Sequence, residues 1–306
     1  MDNRSAFRDR RWLLKPFIDT YNIPVKEILL FQGSNECITN VSLLNSLRSI
    51  GANDADVLYI HSGFNFGKPN VALPKNELLG NIFETLLGLD ISTLIFPSYT
   101  FSFCNGMNFN VQESKTKMGI LNEFIRLQNG TVRSVDPLMS NVLYGKNHEL
   151  VTNVGKNSIG ENSTFDFLHK TSLKVKFLFL GPSIGDCFTY MHFIEERVNV
   201  PYRYNRIFTG NITNNGYSFD DSYQLFVRYH NVIPGSGACI YENILLERNQ
   251  AKKIKLGDGC CSITDEVSSY STYLELITRY PNFFLKDLYN EVLTTKEFEV
   301  CNMVSL

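Results

Sequence analysis

Val57-Leu58-Tyr59-Ile60-His61-Ser62-Gly63 decides the fold: a short apolar run that ends abruptly in histidine, serine and glycine. It is too short for a globular helix and apolar at successive positions, which is how a strand covered on both faces reads. The device recurs at Thr93-Leu94-Ile95-Phe96, ending in Pro97-Ser98-Tyr99-Thr100, and at Phe177-Leu178-Phe179-Leu180, ending in Gly181-Pro182-Ser183. Helical patterns lie between them. Thr39 is placed to cap a helix whose apolar face is Val41, Leu44, Leu47 and Ile50, with Gly51 at its stop. Further helical stretches are expected over about 77–87 and 119–128. Such alternation predicts an α/β fold: a central, largely parallel or mixed sheet flanked by helices. Ligands of open α/β sheets sit beyond the carboxyl ends of strands, so the three strand-end loops are the first candidates for one shared site.

Beyond Pro201 the pattern changes. Asn214-Asn215-Gly216 is a hairpin signal between apolar runs, predicting a β-rich insertion over about 205–250 in the C-terminal third, then a closing helix near 267–279. No repeat, low-complexity tract or long linker marks a boundary, so one α/β domain over 1–306 is expected, with 1–35 as an N-terminal extension. In that extension Arg4, Arg8, Arg10 and Arg11 are interspersed with Asp2 and Asp9 and run into Trp12-Leu13-Leu14, which reads as a docking arm.

Composition narrows the function. At 43% hydrophobic and 20% charged residues, the chain has enough apolar surface for a core. With 29 basic and 31 acidic side chains its formal charge is −2, so no global field is available to hold nucleic acid or an anionic membrane. Seven cysteines without a C-x-x-C pair argue against a zinc clamp or a disulfide framework, and no metal is expected. With no apolar run near the ~20 residues that span a bilayer and no signal-like start, a cytoplasmic location is expected.

Five histidines are the scarcest catalytic candidates. His192 stands out, because Glu195 and Glu196 follow at i+3 and i+4 on the same face of a predicted helix. Such a pair is a structural ion pair or a base poised to take a proton near neutral pH. His61, closing its strand, reads as a packed, hydrogen-bonded side chain; His148, His169 and His230 sit in polar, turn-like contexts and are expected to face solvent. Cys187 precedes His192 by five residues, about 140° away on one helix, which is poor geometry for a nucleophile pair. P-loop, dinucleotide-binding and zincin motifs do not occur.

The ordered motifs resemble the aminoglycoside 3-N-acetyltransferases, also called the antibiotic N-acetyltransferase family. The likeness runs through Leu47-Arg48-Ser49-Ile50-Gly51, Leu58-Tyr59-Ile60-His61-Ser62, Pro97-Ser98-Tyr99-Thr100 and Met118-Gly119-Ile120-Leu121-Asn122-Glu123 with Arg126. It continues through Thr131-Val132-Arg133-Ser134 and Phe177-Leu178-Phe179-Leu180-Gly181 to Tyr190-Met191-His192-Phe193-Ile194-Glu195-Glu196-Arg197 near Pro201-Tyr202-Arg203, covering about 39–205 well. It implies transfer of an acyl group, with acetyl-CoA or another acyl-CoA as co-substrate and no metal, to the amine of a small amino-sugar acceptor. By this resemblance His192 is the general base and Glu195 orients it. His61, Ser62, Gly63, Phe64, Arg133, Ser134 and Ser140 would receive the pantetheine and phosphates of CoA, while Tyr99, Thr100, Asp136 and Glu196 would line the acceptor side. A guanidinium such as that of Arg133 suits a phosphate through its planar fork of donors. Where drug-modifying members usually carry a His-Pro-x-His-Ser type run, this chain has Asp136-Pro137-Leu138-Met139-Ser140. With the aromatic set Tyr99, Phe101, Phe103, Tyr202 and Tyr204, read as base-stacking or as core, this departure favours a nucleotide-linked amino sugar of surface-glycan biosynthesis. The alternatives are an aminoglycoside 3-N-acetyltransferase conferring resistance and a non-catalytic relative that binds CoA or sugar; monomer and homodimer both remain open.

Overall fold

The computed structural model describes residues 26–230 and 232–288. Val57–Ser62, Thr93–Pro97 and Val175–Leu180 are parallel neighbours at the centre of a seven-stranded sheet among the described residues. The strand order, by residue number, is 251–256, 259–265, 175–180, 57–62, 93–97, 141–145 and 131–133. Every pairing outside the parallel centre is antiparallel, so the sheet is mixed.

The continuous apolar runs follow from burial on both faces. Val57 and Tyr59 point into one core with Ile95, Phe177 and Phe179. Leu58 and Ile60 point into the other with Leu94, Phe96, Leu178 and Leu180. Successive side chains of a strand alternate faces, so a strand packed on two sides carries no polar positions. Each fully buried side chain of this size contributes roughly 1.5–3 kcal/mol. Thr164–Lys170, Tyr190–Arg197, Gly237–Glu247 and Glu266–Arg279 cover the aromatic face; Asn40–Ser49, Lys75–Leu87 and Ile120–Arg126 cover the aliphatic one.

Thr39 caps its helix as expected: its Oγ1 accepts the Ser42 N–H at 3.0 Å while Ser42 Oγ accepts the Thr39 N–H at 2.8 Å. The buried face differs in phase, with Leu43, Leu47 and Ile50 inside and Val41 and Leu44 only half-buried. The hairpin signal is a real turn: Arg203–Asn214 and Tyr217–Arg228 pair across Asn215 and Gly216, whose φ values of 50° and 82° are those of a type I′ loop. This hairpin joins Phe109–Asn110 in a separate sheet, and the rest of the stretch expected to be β-rich contains the helix Gly237–Glu247. Of the N-terminal stretch, Leu29–Gln32 forms a strand beside Cys37–Thr39, while the docking arm lies outside the described residues. Among the described residues no helix is long and apolar enough to cross a membrane.

Candidate active site

His192 lies on the helix Tyr190–Arg197, which starts only after a break at Phe188 (φ −73°, ψ 80°) that separates it from the short helix Ile184–Cys187. His192 and Cys187 are therefore not on one helix. The Cys187 thiol is pushed up by burial, with further opposition from Asp186 and Glu242, so it is no thiolate nucleophile. Tyr99, in the loop beyond the strand Thr93–Pro97, bonds the Thr189 side chain just ahead of the His192 helix, which brings that strand end to the histidine.

His192 Nδ1 lies 2.7 Å from Glu195 Oε2, the i+3 partner. Glu196 at i+4 turns elsewhere, accepting from Asn157 Nδ2 at 2.9 Å over Gly160. Glu195 is 3% exposed and saturated. Tyr202 and Tyr273 donate to its Oε1 at 2.8 and 3.1 Å, and the Arg203 Nε sits 2.8 Å from Oε2. Burial alone would raise this carboxyl; Arg203, His192 and Tyr202 outweigh it and hold the group down at about 2. The His192 side chain, by contrast, is 39% exposed. Desolvation in its recess and the Arg203 and Arg228 guanidinium groups hold the imidazole below its ordinary range, against the pull of Glu195. A neutral imidazole whose Nδ1 is pinned by an ionised carboxylate is an acceptor at Nε2.

His61 continues the Val57 and Tyr59 register and so faces the same side of the sheet as the His192 helix. It is 5% exposed, stacked on Phe179 at 5.1 Å, and neutral, since burial pushes it down to about 3. Among the described residues its Nε2 has no hydrogen-bond partner, in contrast to the expected satisfied histidine. The adjoining loops touch backbone to backbone: a Cβ on Gly181 (φ 109°) would meet the Gly63 carbonyl oxygen at 1.5 Å. An orphaned neutral donor or acceptor beside a glycine-lined strand end fits an amide-bearing chain such as pantetheine. Ser62 Oγ donates to Asn122 on the other side, and Phe64 packs on Phe31 at 5.3 Å.

The remaining expected CoA ligands are differently placed. All of Arg133's N–H groups are engaged, on the Val111, Ser114 and Ser98 carbonyls and the Ser98 and Ser140 hydroxyls, at 2.6–3.3 Å. Burial pulls its pKa down to about 9, which leaves it charged at neutral pH, and its guanidinium lies 4.9 Å over Phe109. Arg133 is thus a tie among loops rather than a phosphate fork. Ser140 is fully buried and donates to the Ser98 carbonyl at 2.7 Å, while Ser134 accepts from the Asn141 N–H at 2.9 Å. On the acceptor side, Asp136 is 3% exposed. Its Oδ1 takes the Leu138 and Met139 N–H groups and the Ser158 hydroxyl, so it caps a turn instead of facing a ligand. Thr100 bonds Ser102 at 2.8 Å, and Tyr99, Phe103 and Tyr202 are core side chains. Phe101 at φ 59° is a strained aromatic residue in the same strand-end loop.

His169 is half-buried rather than solvent-facing, with Nδ1 2.8 Å from Glu266 Oε1. Gly181-Pro182-Ser183-Ile184-Gly185 has the G-x-S-x-G spacing of a serine nucleophile elbow, between a strand and a helix as that motif requires. Ser183, however, is in relaxed extended backbone (φ −82°, ψ 161°), its N–H held by Asp186 at 3.2 Å, and no described histidine bonds its hydroxyl. Sequence reasoning missed Arg203 and Tyr273 as members of the His192 cluster; the Pro201-Tyr202-Arg203 run was visible, but nothing in the sequence points to Tyr273. Among the described residues no group of metal-ligating side chains is assembled.

Residues 93–270, more than half of the chain, match the family described as aminoglycoside 3-N-acetyltransferase. The chain belongs to this family and is an N-acetyltransferase in class. Aminoglycoside acetyltransferase AAC(3)-Xa is similar at a TM-score of 0.67 and 16% identity, covering 82% of this chain and 95% of that one. The AAC(3)-IVa apoenzyme gives 0.64 at 19% identity over 83% and 92%, and the YokD protein of Bacillus subtilis 0.65 at 16% over 84% and 96%. At these identities the likeness establishes the fold. No curated protein sequence matches the chain.

Proposed function

We propose that this protein moves an acetyl or related acyl group from acyl-CoA to the amine of an amino sugar, in a ternary complex and by direct attack, with His192 as general base. The observation that carries the reading is the His192 ring, pinned at Nδ1 by a saturated, ionised Glu195 and exposed on its other side. A free alkyl ammonium, with pKa near ~10, cannot attack until it loses a proton. That first proton is shed to solvent; as the neutral amine forms the N–C bond to the thioester carbonyl, His192 Nε2 takes the second proton from the same nitrogen, the C–S bond breaks and the CoA sulfur leaves as thiolate. His61 Nε2 and the Gly63 and Gly181 loops are the supports for the pantetheine arm. A structural neighbour, AAC-IIIb, is solved with CoASH, the thiol that acyl-CoA leaves behind. Use of acyl-CoA fits a cytoplasmic location.

The acceptor we favour is a nucleotide-linked amino sugar of surface-glycan assembly. Its anionic diphosphate suits a base flanked by Arg203 and Arg228, and the carboxylate of Asp136, which would help attract a polycation, is committed to a turn. The second reading, an aminoglycoside acceptor, is supported by relatives solved with sisomicin (AAC-VIa) and with a gentamicin (AAC(3)-IVa). Thiol release from acetyl-CoA against a panel holding both substrate classes separates them. Turnover with nucleotide sugars alone is the expected result; turnover with aminoglycosides alone replaces the first reading by the second.

A further inference from the structure

Nδ1 of His192 has two partners and room for one. Glu195 Oε2 is 2.7 Å away and Arg203 Nη2 is 2.9 Å away. A ring nitrogen offers either a hydrogen or a lone pair in the ring plane, never both. If Nδ1 carries the hydrogen, it donates to Glu195 and leaves Nε2 as a lone pair. If Nδ1 is bare, Arg203 donates to it and Nε2 carries the hydrogen, so the ring cannot accept a proton there. Arg203 is built into this junction: its Nε stands 2.8 Å from Glu195 Oε2, its Nη1 donates to the Phe226 carbonyl at 3.2 Å, and its side chain is 12% exposed.

We propose that Arg203 is a positioning residue for the transfer, which by sharing Nδ1 with Glu195 decides the proton state of His192. This rests on the reading of His192 as the base. The described groups that face the ring are few: Glu195 from its own helix, Arg203 from the strand Arg203–Asn214, and Arg228 from the partner strand Tyr217–Arg228. Tyr202 and Tyr273 act only through Glu195. The guanidinium therefore does two things. It keeps Glu195 ionised, so that a strong acceptor waits for the Nδ1 hydrogen, and it opposes a positive charge on the ring, so that the imidazole stays neutral and available.

The test follows the ring and the reaction separately. Histidine labelled with ¹⁵N reports the charge and tautomer of His192 in the resting protein, and kcat/KM against pH reports its role with acetyl-CoA and an accepted amine. In Arg203→Gln, with folding checked by near-UV circular dichroism, the His192 midpoint should move to higher pH by about one unit or more. The acid limb of kcat/KM should move with it. Arg203→Lys keeps the charge but not the fork, so the midpoint should stay near the wild-type value while kcat falls about ten-fold. Arg228→Gln, which changes a cation not placed at Nδ1, should leave the Nδ1 tautomer unchanged. A folded Arg203→Gln with wild-type midpoint and tautomer overturns the proposal; should that variant fail to fold, a folded Arg203→Lys with wild-type kcat and Nδ1 tautomer overturns it. A midpoint that moves in the spectra while the kinetic limb stays put removes His192 from the role of base and overturns the proposal with it, whereas an unmoved midpoint in Arg203→Gln overturns the proposal alone.

Discussion

Two histidine–carboxylate pairs flank one helix, and they are nearly identical at first contact. His192 Nδ1 is 2.7 Å from Glu195, and His169 Nδ1 is 2.8 Å from Glu266. Tyr190 and His192 are two residues apart, about 200° around the helix, so they serve opposite sides. On one side Tyr190 donates to Glu266 and Phe193 packs against the His169 ring, which also stacks on Tyr270 at 4.2 Å. On the other, His192 and Glu195 meet Arg203 and Arg228. The carboxylate partner is common to both, so it does not make a base. What differs is that His169 stacks on Tyr270 with Phe193 tilted against it and is 24% exposed, whereas guanidinium groups stand beside His192, whose side chain is 39% exposed. A His–Glu pair read from spacing alone is an ion pair or a base according to what the rest of the chain places around it.

The comparison breaks most sharply in activity. His192→Gln should fold normally, bind CoA and lose on the order of 10² to 10⁴ in kcat/KM, the span of general acid–base catalysis, whereas His169→Gln should stay within a few-fold of wild type; thiol-release assays on the two variants decide it. Equal losses would mean that the helix, not the base, had been damaged. Next in size is Glu195→Gln, which leaves the Arg203 guanidinium without its counter-charge. Urea unfolding should show a loss of roughly 3 kcal/mol, the lower end for breaking a buried ion pair. An unchanged midpoint would show the pair to be neutral to stability.

Acid sharpens the same contrast. Glu195 is held at about 2 in the folded chain against ~4.3 when unfolded, so its contribution is complete above the unfolded value and is lost as pH falls toward 2. That loss amounts to roughly 3 kcal/mol over the window and should vanish in Glu195→Gln. His192 is also depressed, so the unfolded chain takes up its proton first and stability begins to fall as pH drops below ~6.5, as it does for the depressed His61; this earlier slope should become shallower in His192→Gln, with the His61 part remaining. The smallest effect belongs to His169→Gln: about 1 kcal/mol of stability, the worth of one side-chain hydrogen bond, measured by thermal or urea melts.

Much of the sheet was legible because burial on both faces removes polar positions from a strand, and Val57–Ile60, Thr93–Phe96 and Phe177–Leu180 show that directly. The antiparallel strands at 131–133, 141–145, 251–256 and 259–265 were not read, since short strands near a sheet's edges have mixed patterns that propensity does not separate from loops. The site was legible only where its members are close in sequence. Spacing put both Glu195 and Glu196 beside His192, and only packing sent one inward and the other to Asn157. Arg133 shows the reverse error: a guanidinium that looks like a phosphate ligand in the sequence is consumed by carbonyls from loops some 20–35 residues away.

By itself the sequence determined what short-range physics determines: the capped helix after Thr39, the I′ turn at Asn215-Gly216, the two-faced strands, and a histidine with carboxylates one turn on. The tertiary structure alone decided which carboxylate holds the histidine, which guanidinium shares its nitrogen, and that His61 Nε2 is left without a partner among the described residues. Tyr273 is 78 residues from Glu195 along the chain, and its hydroxyl reaches that carboxylate only because a helix docks there. Local propensity carries no information across such a distance, whereas the cost of an unpaired buried charge does, and it acts only once the chain has folded.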